Sequence, residues 1–277
     1  MNYGHDAIDN YIVTEDRQLN YLEWGDKTSQ PLVLLHELGD CARSWEFISE
    51  SLSGKYRLIA IDGRGHGDSD FYKAYTPRNY VNDLELLLSK LEITDTVLVG
   101  HGLGASYGLL YASEHKKNIK ALVLADMNPV INNSLLIPYL DRMNESNQPR
   151  TLRQVIDVLK ERQPNAPQKL IDHQVSSLTR KSANKFIWKL HAETLHWRES
   201  LNLWPIFQDL NVPTAIIRGR QSKFLEHDTA VIMREKILGS LLVELEGTGH
   251  WVYDDAPEAF ATSIEWFLNY LKNSDYN

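Results

Sequence analysis

The sequence predicts an α/β fold, a mostly parallel twisted sheet with helices on both faces. Three observations carry it. Short, continuous apolar runs recur along the chain, patterns of helical spacing lie between them, and polar or glycine-rich turns follow the runs closely. Strands buried on both faces read as unbroken apolar runs, and strands alternating with helices imply parallel pairing through crossovers.

The elements follow in order. Tyr11 to Thr14 and Leu19 to Trp24 read as a leading hairpin around the polar turn Glu15-Asp16-Arg17. The buried strands are then Pro31 to His36, Leu58 to Ile61, Val97 to Val99, Ala121 to Leu124 and Thr214 to Ile217, with Leu241 to Leu245 as the last. Thr76-Pro77 suits an N-cap and first helical residue, and Val81, Leu84, Leu87 and Leu88 space the apolar face of a helix to Leu91. Leu103 to Glu114 and Pro257 to Leu271 suit two more helices.

From about Val130 to about Leu203 the rhythm breaks. No convincing strand stands out, and Leu152-Ile156-Leu159 and Phe186-Leu190-Leu195 show helical spacing, punctuated by Pro149, Pro164 and Pro167. The expectation is a core of residues 1–129 and 204–277 with a helical cap over residues 130–203. The cap would sit over the strand C-termini, where open α/β sheets bind their ligands.

Composition bounds the function. A chain of 277 residues suffices for one large domain with an insert. Its net charge of −8 argues against nucleic acid and anionic membranes as partners. No apolar stretch approaches the ~20 residues of a membrane span. The single cysteine, Cys41, excludes an intrachain disulfide. The segment Met1 to Asp6 lacks the basic and apolar regions of a signal peptide, so the expected location is cytoplasmic. The oligomeric state is not legible.

The chemistry lies in the turns. They are His36-Glu37-Leu38-Gly39-Asp40, Asp62-Gly63-Arg64-Gly65-His66-Gly67-Asp68-Ser69, Gly100-His101-Gly102-Leu103-Gly104 and Gly247-Thr248-Gly249-His250-Trp251. In this order they resemble the α/β-hydrolase family over about Leu19 to Leu271. The second resembles its D-x-R-G-H-G-x-S block, the third stands where it has G-x-S-x-G, and the last resembles its G-x-G-H histidine block. The resemblance implies a nucleophile elbow at Gly102 and an oxyanion hole from the backbone N–H groups of Leu38 and Leu103. It also implies His250 as the general base.

The sequence departs from that pattern at three places. Gly102 stands where the family keeps a nucleophile, so no acyl-enzyme can form there. Lys223 stands where the family's acid usually lies and cannot accept a proton from an imidazole. Asp126, just past the Ala121 to Leu124 strand, is the best substitute, resembling an alternative acid position of some haloalkane dehalogenases; its plain alternative is a turn cap at Asn128-Pro129, and Glu226 and Asp228 are weaker choices. Glu37 follows His36 where relatives have glycine; pointing inward it would oppose negative charge in the oxyanion hole, pointing outward it would be harmless.

His36, His66 and His101 read as structural, Ser106 as a packing residue, and Trp197 and Trp251 as pocket walls with Glu37 nearby; Trp45 and Trp204 are further aromatic candidates, for the pocket or the core. His191 and His196 flank Glu193 without an H-E-x-x-H pattern, so no metal is expected, and the elbow lacks the Lys-Ser/Thr of a phosphate loop, so no nucleotide. No cofactor is implied. Three functions remain open. One is an enzyme without a serine nucleophile, of hydrolase or of lyase or cyclase type, in which His250 acts as base or activates water and an oxyanion hole holds a small apolar carbonyl compound. Another is a catalytically silent ligand-binding protein, and the third a serine hydrolase engineered to glycine at position 102.

Overall fold

A computed structural model describes residues 7–131, 150–195 and 201–273. Its sheet is built from β1 (Ile8–Val13), β2 (Gln18–Trp24), β3 (Pro31–Leu35), β4 (Arg57–Ile61), β5 (Thr96–His101) and β6 (Ile119–Ala125). Short β7 (Val130–Ile131), β8 (Thr179–Ser182), β9 (Lys185–Trp188) and β10 (Leu201–Asn202) lie apart, and β11 (Thr214–Gly219) and β12 (Leu241–Leu245) complete the sheet. The strand order is β1-β2-β4-β3-β5-β6-β11-β12. β1 and β2 pair antiparallel, as do β2 and β4, and every later pairing is parallel.

Alternation along the strands divides the core in two. On β3, Val33 and Leu35 face one layer while Leu32 and Leu34 face the other. The first layer holds Tyr80, Val81 and Leu84 of α2 (Pro77–Lys90), which follows α1 (Glu46–Leu52), and Tyr107 and Leu109 of α3 (Leu103–Glu114). The second layer holds Ile48 and Leu52 of α1, and Phe260, Ile264 and Phe267 of the C-terminal helix Pro257–Asn273. Helices therefore cover both faces, and the central parallel strands carry no polar face.

The segment between β7 and β10 corrects one expectation. Its described part contains α4 (Leu152–Arg162) and α5 (Gln168–Leu178), but also the antiparallel hairpin β8–β9. Phe186 and Leu190 are not on a helix: Phe186 lies in β9 and exchanges both backbone hydrogen bonds with Arg150. The hairpin escapes the periodicity because it is only four residues a side and half of them are exposed, with Ala183 in the turn at φ 52°. α4 and α5 bury Val155, Leu159 and Ile171 against Leu38, Cys41 and Trp188, a third apolar cluster on the C-terminal side of the sheet. Among the described residues no helix is long and apolar enough to cross a membrane.

Candidate active site

The strand-to-helix turn between β5 and α3 sets the site. Gly102 sits at φ 49° and ψ −111°, in the left-handed region. A β-carbon on Gly104 would lie 2.1 Å from the Leu35 carbonyl oxygen, so α3 can start this close to β3 only with glycine there. The Gly102 carbonyl is held by the Ser106 N–H at 3.1 Å and the Ser106 hydroxyl at 3.0 Å. Ser106 thus secures the elbow from within α3 and takes no place in the site.

Glu37 points inward. Its Oε1 accepts the N–H of Leu38 at 2.5 Å and of Leu103 at 3.0 Å. These are the two groups expected to form an oxyanion hole, and the chain's own carboxylate fills them. Its Oε2 accepts from His250 Nε2 at 3.2 Å. A β-carbon on Gly102 would lie 1.4 Å from this same Oε2. That is the length of a carbon–oxygen single bond, so Oε2 stands at the distance a serine hydroxyl oxygen would keep from the elbow.

His250 Nδ1 donates to Asp126 Oδ2 at 2.8 Å. Asp126 is wholly buried at the end of β6, at φ 40°, and its carboxylate also takes the Ser222 hydroxyl at 2.5 Å and the Gly219 N–H at 3.2 Å. A non-glycine residue in that region is strained, and such strain gathers at functional sites. The turn-cap alternative falls to a neighbour: Asn128 Oδ1, not Asp126, accepts the Val130 N–H. Lys223 is exposed, as are Glu226 and Asp228.

Glu37, His250 and Asp126 thus form a carboxylate–imidazole–carboxylate chain, largely shielded from water. Burial alone would lower the basicity of His250, but hydrogen bonds and charge from Asp126 and Glu37 overcome it and raise its pKa to about 9. Burial would raise Glu37, yet the His250 contacts and the Leu103 N–H bring it below the usual carboxylate range. For Asp126, burial outweighs the same kind of help and its pKa is raised.

The remaining histidines have defined work. His36 Nε2 accepts the Gly63 N–H at 2.9 Å and His66 Nε2 accepts the Gly39 N–H at 3.1 Å, fixing the loop that carries Glu37. His101 Nε2 donates to the His250 carbonyl at 2.8 Å and holds the histidine turn against the elbow; its pKa falls to about 3 through burial and the neighbouring His250. His191 pairs with Tyr75 and stacks on Phe71, away from this cluster. One atom each of Glu37, His101 and His250 lies within 4.8 Å of the others, a donor set that could hold a metal. The same point receives two backbone N–H groups and the N-terminus of α3, which favour an anion over a cation.

Trp251 is buried, with the Arg162 guanidinium 3.3 Å from its ring centroid, and Phe224 lies 4.4 Å from the His250 ring. Trp45 is a core residue against Tyr253, and Trp204 is half-buried against Phe207. Trp197 and His196 lie outside the described residues. Sequence reasoning passed over Phe224, Ser222 and Arg162. The one signal it held for the filled hole was the joint departure at two positions: a side chain gained at residue 37 and one lost at residue 102.

Comparison with known proteins agrees with this architecture. The family model described as alpha/beta hydrolase fold matches residues 30–257. The 2-(acetamidomethylene)succinate hydrolase of Mesorhizobium japonicum is 28% identical over 255 residues, covering 88% of this chain and 90% of that protein. The mouse sn-1-specific diacylglycerol lipase ABHD11 is 24% identical over 265 residues, covering 88% and 82%. Among solved structures, E-2-(acetamidomethylene)succinate hydrolase superposes with a TM-score of 0.84 at 24% identity, over 95% of this chain and 100% of that one.

Proposed function

Since the chain belongs to the α/β-hydrolase fold family, we propose that it is a hydrolytic enzyme that works without a serine nucleophile. His250, oriented by Asp126, manages the protons and activates water against a small apolar substrate entering beneath a cap of residues 130–203. The observation that carries this reading is the 2.8 Å hydrogen bond from His250 to a buried Asp126 directly above the elbow. An imidazole anchored at Nδ1 by a buried carboxylate is the arrangement acid–base catalysis requires. The relatives named as hydrolases lend the reaction class.

The filled hole favours a second reading, a catalytically silent binding protein whose donors are satisfied by Glu37. The replaced-serine reading fares worse, because a side chain at residue 102 would collide with Glu37.

The test is turnover of a panel of esters, lactones, amides, epoxides and alkyl halides by the intact protein and by His250→Ala. Hydrolysis of one class, reduced by about 10³-fold or more in the variant, is expected. Turnover indifferent to His250 overturns the mechanism, and saturable binding without turnover favours the silent reading.

A further inference from the structure

We propose that Glu37 is the covalent nucleophile of this site, and that its substrate is a saturated carbon bearing a leaving group rather than an acyl carbonyl. The inference rests on the hydrolytic reading above and names the reacting residue and the substrate class. It begins from the two oxygens of one carboxylate. Oε2 keeps a bond length from the position of a β-carbon at residue 102 and lies 3.2 Å from His250 Nε2. Oε1 takes both backbone donors.

That division of labour selects the chemistry. Attack on an ester or amide places negative charge on the substrate's carbonyl oxygen, which needs donors. Here the donors are already spent on Oε1. Displacement at a saturated carbon develops no carbonyl oxyanion on the substrate, and an alkoxide leaving group is met by His250 Nε2, so a filled hole costs it nothing. It even helps, because His250, with the Leu103 N–H, keeps the carboxylate ionised, and the two N–H groups fix its orientation.

The steps balance. Oε2 donates a lone pair to the saturated carbon, a carbon–oxygen bond forms, and the bond to the leaving group breaks with its electron pair. Where that group is the oxygen of a strained cyclic ether, the alkoxide takes the proton from His250 Nε2, leaving a neutral imidazole. Glu37 is now an alkyl ester whose carbonyl oxygen, Oε1, already lies between the Leu38 and Leu103 N–H groups. His250 then removes a proton from water, the hydroxide adds to the Glu37 carboxyl carbon, and the charge develops on Oε1, where the donors wait. Collapse breaks the bond to the alkyl oxygen; the carboxyl proton goes to the departing alkoxide, and Glu37 carboxylate and His250 imidazolium are restored. With an alkyl halide the first step releases halide, the second begins from neutral His250, and the net product is the alcohol with one equivalent of acid. The cationic resting state of His250 favours the cyclic ether.

The experiment uses styrene oxide and 1-bromohexane as probes. His250→Gln should accumulate an ester adduct of the probe's mass on the peptide containing Glu37. Glu37→Gln should form none. Because either variant could fold poorly, the intact protein is also run through a single turnover in ¹⁸O-water with enzyme in excess. Direct attack of water labels only the product, whereas attack at the Glu37 carboxyl carbon places ¹⁸O in that side chain. Label in Glu37 with styrene oxide but not 1-bromohexane assigns the cyclic ether, and the reverse assigns the halide. No adduct and no label in Glu37 with either probe overturns the proposal. If a panel substrate is still hydrolysed in a His250-dependent way with ¹⁸O only in the product, the hydrolytic reading survives and the nucleophile assignment fails.

Discussion

The Glu37 carboxylate and the Gly102 α-carbon share one small space: a β-carbon on residue 102 would lie 1.4 Å from Oε2 and 2.3 Å from the carboxyl carbon. The two residues come from different loops, after β3 and after β5, and meet only because those strands are neighbours in the sheet. A carboxylate gained on one loop requires a side chain lost on the other. Gly102→Ser alone should therefore destabilise the fold by on the order of 3 kcal/mol, since the serine evicts a buried carboxylate from its donors. Glu37→Gly with Gly102→Ser should recover that stability and gain p-nitrophenyl ester hydrolysis with an acyl-enzyme burst. A double-mutant cycle by chemical denaturation measures the coupling. Additive effects, or a single serine variant as active as the double, would count against the pairing.

Lys223 and Asp126 offer a sharp contrast at the two positions where an acid could stand. Asp126→Asn removes the acceptor that fixes the His250 tautomer, and kcat should fall by about 10³-fold or more with a small change in KM. Lys223 is exposed, so Lys223→Ala should leave kcat within about twofold of the parent. Steady-state kinetics on any turned-over substrate checks both. Equal losses at the two positions would argue that the acid lies elsewhere.

Much of the fold was legible because the central strands are buried on both faces and so carry unbroken apolar runs; Leu32 to Leu35 and Ala121 to Leu124 needed no tertiary information. The β8–β9 hairpin was not, since its buried residues, Thr179 and Trp188, stand at its open end while Arg180, Lys181 and Lys185 are exposed, too little to show a period. In the site, the glycine-flanked turns placed His250 and the elbow. The direction of Glu37 could not be read, because it depends on space vacated by a residue 65 positions later and on two N–H groups from different loops.

The Glu37–His250 pair should stabilise the fold most at mildly acidic pH, above about 4.5 and below about 6.5, and its contribution should fall on either side. His250 has its pKa raised from an ordinary 6.5 to about 9 in the fold, so its contribution is complete below about pH 6.5 and is lost as pH rises through 9. The shift corresponds to on the order of 3 kcal/mol. Glu37 is lowered from its ordinary 4.5, so its contribution is present above that value and is lost as pH falls through the folded pKa. Denaturation measured from about pH 2 to about pH 10 should show both losses. Glu37→Gln should shift the alkaline loss to lower pH, because His250 then has one carboxylate partner instead of two. An unmoved alkaline limb would mean that the pair is not formed.

Arg162 joins the insert to the site, and its removal should be felt at both. Its guanidinium is 1% exposed, donates to Asp40 Oδ2 at 2.8 Å, lies 3.8 Å from Asp254 Oδ2 and stacks at 3.3 Å on Trp251, the neighbour of His250. Asp40 also accepts the Tyr253 hydroxyl at 2.5 Å and the Ser44 hydroxyl. Burial drives both acids upward. In Asp40 the Arg162 charge and the hydroxyls overcome it and the pKa falls to about 2, while Asp254, burdened further by the Asp40 charge, rises to about 8. One cation thus sits between two buried acids that cannot both ionise freely. Arg162→Ala leaves that cluster without its cation and should cost about 3–5 kcal/mol. Arg162→Met keeps the packing on Trp251 but not the charge. If Asp40→Asn is added to Arg162→Met, most of the lost stability should return, because the uncompensated charge is gone. Denaturation of the three variants, with kcat on the same samples, tests this: a stability loss at Arg162→Met that Asp40→Asn fails to relieve would place the energy in packing and not in charge.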